Sequence, residues 1–107
     1  DWRDCDDWES IIKFTANAVE KYGSGGGNFR KMYCTYLKSA QKSVPKIVDG
    51  HSIELIGKSA SIWKGFADEI QLLTPANSVE QWKSIGEMVS MAYDFESEAV
   101  ERIASAL

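Results

Sequence analysis

The chain has 107 residues and a mass of 11.9 kDa, with 44% apolar residues, 26% charged residues and a formal net charge of -4. That balance is too apolar for an intrinsically disordered chain, and no run approaches the roughly 18 uninterrupted apolar residues of a membrane helix. A pI near 4.9 argues against nucleic-acid binding, which needs a basic footprint.

A chain of this size buries about 65% of its unfolded surface, enough for a single domain over residues 1–107. It begins Asp1, Trp2, Arg3, with neither an initiator Met nor a secretory signal pattern. The expectation is a piece of a longer protein whose catalytic residues lie elsewhere. Cys5 and Cys34 have neither zinc-site nor redox-motif spacing, so free thiols in a cytoplasmic chain are expected, with no metal and no cofactor.

Asp6 followed by Glu9 has the form of a capping box, and Trp8, Ile11, Ile12, Thr15, Ala18, Val19 and Tyr22 then recur at helical spacing. This is the first predicted helix. Gly23 to Gly27 form a glycine-rich loop that lets the chain reverse. Asn28 is placed to cap a second helix with an apolar face of Phe29, Met32, Tyr33, Tyr36, Leu37 and Ala40, which Pro45 ends.

Asp49 and Gly50 form a turn dipeptide, and Ser52 is placed to cap a third helix of about 20 residues through Leu55, Ile56, Ser59, Ile62, Trp63, Phe66, Ala67, Ile70 and Leu73. Thr74, Pro75 and Ala76 close it. Asn77 with Glu80, or Ser78 with Gln81, open the fourth, where Trp82, Ile85, Val89, Ala92, Glu96, Ala99 and Ile103 alternate at three and four. No segment shows strand periodicity. The predicted fold is all-α, a bundle of four main helices, with the last two antiparallel across their short connection.

Three features carry candidate chemistry. Gly25, Gly26, Gly27 and Asn28, followed by Arg30 and Lys31, bring free backbone N–H groups and cations to a helix start, the ingredients of an anion site, although P-loop and dinucleotide spacings are not met. The plainer account is a flexible turn with solvated cations. Between Lys21 and Lys46 there are six cations and no acid, whereas the last helix carries Glu87, Asp94, Glu96, Glu98 and Glu101 against Arg102. Either the two helices neutralise one another, or Lys38, Lys42 and Lys46 are offered to an acidic partner.

Glu96 is the third feature, in a heptad column whose neighbours Ala92, Ala99 and Ile103 are apolar. A buried carboxylate needs a partner, and Arg30 is the first candidate, before Tyr33 and Tyr36. A structural pair is expected rather than a catalytic acid. His51, the lone histidine, lies in a connection, and pairing it with Cys5 or Cys34 as nucleophile would require distant elements to meet. The four tryptophans read as core or docking contacts, with Trp2 placed to cover a neighbouring domain.

The run Gly25, Gly26, Gly27, Asn28, Phe29, Arg30, Lys31, Met32, Tyr33, Cys34, Thr35, Tyr36, continuing to Ala40, resembles the C-terminal helical domain of butirosin biosynthesis protein H-like proteins. The segments Ile62 to Ala67 and Asp94 to Ala99 are also similar to it, so the resemblance spans about Gly23 to Leu107. It implies a preceding cysteine-peptidase-like domain in the same chain, which transfers an acyl group from a carrier protein to an amine. No catalytic residue of that family maps onto this sequence.

What the resemblance does imply is a non-catalytic accessory domain. Its partners would be the catalytic domain and an acidic acyl-carrier protein, met through the glycine loop, Arg30, Lys31, Lys38 and Lys42. A stand-alone helical protein-binding module is the alternative, and a small enzyme using His51 and a carboxylate is a third possibility that needs both groups in one pocket.

Overall fold

The computed structural model describes residues 1–20 and 27–107. Among them the chain is all-helical, with no strand: a 3-10 turn at Trp2–Asp4 is followed by α1 (Trp8–Glu20), α2 (Gly27–Ser43), α3 (Gly50–Gln71) and α4 (Ser78–Ala106). No helix is long and apolar enough to cross a membrane among the described residues. Of the glycine-rich loop expected over Gly23 to Gly27, residues 23–26, with Gly25 and Gly26, lie outside the described residues.

Several boundaries differ from those the sequence predicts. Gly27 opens α2, so Asn28 lies inside the first turn rather than ahead of it as a cap. Ser52 does not cap α3. Its backbone N–H instead donates to Asp49 Oδ1 at 2.7 Å, which makes Asp49 the N-cap and leaves Ser52 fully buried in the first turn. Asn77 precedes α4 but makes no side-chain cap. Its Oδ1 accepts from the Thr74 N–H at 2.8 Å and its Nδ2 donates to the Leu72 carbonyl at 3.0 Å, so the side chain closes the connecting loop instead.

The long antiparallel hairpin of α3 and α4 is the frame, and α1 and α2 pack against α3 at its two ends. At one end Leu37 of α2 meets Val48, Ile53, Leu55, Ile56 and Ala99. At the other, Ile12 and Ala16 of α1 meet Ile70, Leu73 and Ile85. Each cross-section therefore holds three rods, because α1 and α2 follow one another along the hairpin. The 29 residues of α4 span about 43 Å, which accounts for extents of 53 × 23 × 16 Å. The radius of gyration is 16.4 Å, against about 13 Å for a compact domain of this length.

This arrangement sorts the heptad of α4. Ile85, Ala92 and Ala99, spaced by seven, form the buried column. Trp82, Val89, Glu96 and Ile103 form a second column at the edge of the seam, where Trp82 and Val89 are exposed and the other two half-buried. A helix with few neighbours buries a narrower stripe than one enclosed on all sides. Close approach follows from small residues: a Cβ added at Gly65 of α3 would come within 2.9 Å of Met88 Cε on α4.

Trp2, expected to cover a neighbouring domain, packs within the chain. It is half-buried, lies 6.5 Å from the Trp8 ring and joins the cluster around Ile12 and Ile70. Cys5 is exposed and Cys34 half-buried, and both are free thiols.

Candidate functional site

The described polar cluster with the most partners is built from three helices at Glu96. Arg30 of α2 donates from Nε to Glu96 Oε1 at 2.6 Å and from Nη2 to Oε2 at 3.4 Å. Ser59 of α3, fully buried, donates its hydroxyl to the same Oε1 at 2.6 Å. The Arg30 guanidinium also sits 4.8 Å over the Trp63 ring, and Trp63 meets Phe66 edge-on at 5.1 Å. Because Ser59 and Trp63 are four residues apart, they share one face of α3 and hold the ion pair from one side.

Arg30 is thus the partner of Glu96, and its side chain is committed to the fold. Glu96 itself is half-buried rather than buried, as its place on the seam edge dictates. Burial alone would raise its pKa, but the hydrogen bonds from Arg30 and Ser59 and the charge of Arg30 outweigh that and hold it below the ordinary value. The Trp63 N–H, buried without a hydrogen bond of normal geometry, adds a smaller pull in the same direction.

A second inter-helix tie was not foreseen. Arg102 near the end of α4 donates from Nη2 to Asp49 Oδ2 at 2.8 Å. The Asp49 carboxyl is lowered to about 2 from 3.8, chiefly by the Ser52 backbone N–H and then by Arg102. The only sequence signal is an acid at a helix start, and nothing local joins it to a residue 53 positions away.

Both carboxylates have native pKa values below their unfolded ones. Each therefore adds stability above its unfolded pKa, and that stability is lost as pH falls through the native value. Thermal unfolding scanned downward in pH is expected to show Tm falling from about pH 5, with the Asp49 part lost between its ordinary value of 3.8 and about 2. Glu96→Gln is expected to flatten the upper part of that slope. A slope identical to that of the parent would contradict the role given to Glu96.

The basic residues of α2 diverge from Arg30. Lys31, Lys38 and Lys42 are exposed. The backbones of α2 and α4 each lie closer to α3 than to one another, and mutual neutralisation of the two helices amounts, among the ion pairs described, to Arg30 with Glu96. His51 is exposed, with Nδ1 3.8 Å from Glu54 and Nε2 3.7 Å from Glu98, both longer than a hydrogen bond. Cys34 lies against the Ile53 carbonyl at 3.8 Å, on a different helix from His51. No group of three or more His, Cys, Asp or Glu side chains is placed to hold a metal among the described residues.

Sequence reasoning missed a surface hollow bordered by Cys34, Lys38, Gly57, Ser61, Met91 and Phe95, with a volume of about 610 Å³. Small residues four apart at Gly57 and Ser61 were its one signal, legible only once the third helix is given neighbours on both sides.

No curated protein and no solved structure matches the chain. A family model described as a domain of unknown function, DUF4872, matches residues 1–103. With nearly its whole length inside that match, including α1, α2, α3 and all but the last turn of α4, the chain belongs to the DUF4872 family.

Proposed function

We propose that this chain is a non-catalytic accessory domain of an acyltransferase or peptidase-like biosynthetic protein of the butirosin biosynthesis protein H-like kind. In this reading it works in the cytoplasm beside a catalytic domain of the same polypeptide and helps recognise an acidic acyl-carrier protein. One observation carries the reading: in a chain of net charge -4, α2 has no acid and presents Lys31, Lys38 and Lys42 at the surface. Concentrating cations on one face of an acidic protein steers an acidic partner to that face and repels it elsewhere. Arg30, in contrast, supports the surface from beneath through Glu96.

Titration with an acidic acyl-carrier protein tests this. Changing Lys31, Lys38 and Lys42 together to Gln, with Arg30 kept, is expected to weaken binding about tenfold at low salt and to flatten its salt dependence. Equal affinity for parent and variant would reject the reading.

A further inference from the structure

Three pairs of residues, each four apart in sequence, border the hollow beside α3. Cys34 and Lys38 of α2 form one bank, Met91 and Phe95 of α4 the other, and Gly57 and Ser61 of α3 the floor. Residues four apart on a helix lie one above the other, so the three pairs run as rows along a trough. The space over the floor is open, since a Cβ at Gly57 would meet nothing within 4 Å.

The banks are apolar below and cationic above. Lys38 and Lys58 border the trough, and Lys31 and Lys64 border a second hollow that continues it past Cys34. The Lys58 ammonium lies 5.5 Å over the Phe95 ring, so a cation stands directly above the aromatic bank. Glu54 is the one acid in either lining, 3.5 Å from Lys58 Nζ. A largely apolar trough under a cationic rim suits a ligand that is apolar on one side and anionic at its edges.

We propose that this trough is a docking groove for an acidic amphipathic helix of a partner protein. Its apolar side chains would enter over Gly57 and Ser61, and its flanking carboxylates would meet Lys38, Lys58 and Lys64. Charge complementarity selects this occupant: a wholly apolar segment would gain nothing from the lysines, and a polyanion without apolar side chains would gain nothing from Met91 and Phe95. The inference rests on the reading of α2 as a surface for an acidic protein and adds the shape of what binds there.

The test is a titration of the isotopically labelled chain with a synthetic acidic peptide of about 18 residues, its leucines spaced for one helical face. A peptide of equal composition with dispersed leucines serves as the comparison. Amide shifts are expected at Cys34, Gly57, Ser61 and Met91, with affinity about tenfold above that of the dispersed peptide. Gly57→Leu fills the floor, leaves every charge in place and puts a better helix former into α3, so it is expected to weaken binding about tenfold with circular dichroism unchanged. Ser61→Leu serves in the same way if Gly57→Leu does not fold.

Unweakened peptide binding by both filled variants would overturn the groove, whatever the lysine variant does to the carrier protein. Loss of peptide binding in the filled variants, together with no affinity for any acyl-carrier protein, would uphold the groove and reject the carrier reading. Shifts in the trough with laurate or phosphatidylserine vesicles but none with the peptide would also overturn the proposed occupant.

Discussion

Ile70→Ala is expected to destabilise the chain by about 3 kcal/mol, within the range of about 2–5 kcal/mol for truncating a buried isoleucine. Ile70 is 1% exposed and lies where α1, α3 and the start of α4 converge, beside Ile12, Ala16, Leu73 and Ile85. The cost has two parts, the lost transfer of the removed carbons and the cavity left behind. Relaxation into that cavity is limited because its walls belong to three separate helices. For a domain of this size the loss corresponds to a fall in Tm on the order of 10–20 °C. Val89→Ala removes a residue of the same helical periodicity that is 39% exposed, and is expected to cost less than about 1 kcal/mol. Urea unfolding of both variants checks the pair; equal losses would contradict the sorting of α4 into a buried and an edge column.

Arg30→Met is the second large effect. It removes the bidentate partner of Glu96 and the cation over Trp63 together, leaving the carboxylate with the Ser59 hydroxyl as its main remaining donor. Removing one member of a fully buried pair costs about 3–5 kcal/mol, whereas an exposed pair contributes about 0–1 kcal/mol. The two side chains here are 20% and 27% exposed, so solvent screens part of the loss and about 1–2 kcal/mol is expected.

Adding Glu96→Leu to Arg30→Met is expected to recover much of that loss, because an apolar pair of similar volume needs no compensating charge. A double-mutant cycle by thermal and urea unfolding measures the coupling. Strict additivity of the two single changes would show that the pair does not act as a unit. Since α2 carries the exposed lysines as well as Arg30, loss of this tie is also expected to lower affinity for an acidic partner, while leaving the number of surface lysines unchanged.

The helices were legible because their apolar residues recur at three and four. So was the need of Glu96 for a cation, since a carboxylate among Ala92, Ala99 and Ile103 leaves few alternatives. Local spacing did not reveal which apolar column faces inward: Ile85 and Val89 satisfy the same periodicity, and only the position of α3 makes one buried and the other exposed. Charge counting suggested that the basic and acidic helices neutralise one another. The fold joins them through Arg30 and Glu96 alone among the ion pairs described, and leaves the α2 lysines outward.

Helix existence and helix count were determined by the sequence alone, because backbone hydrogen bonding and apolar periodicity are properties of neighbouring residues. Tertiary structure alone decided that Arg102 holds Asp49, that Arg30 rather than a tyrosine meets Glu96, and that Gly57 and Ser61 lie between two banks. Each of these depends on which elements share a face in space. Packing between segments distant in sequence settles that, and no periodicity within one segment encodes it.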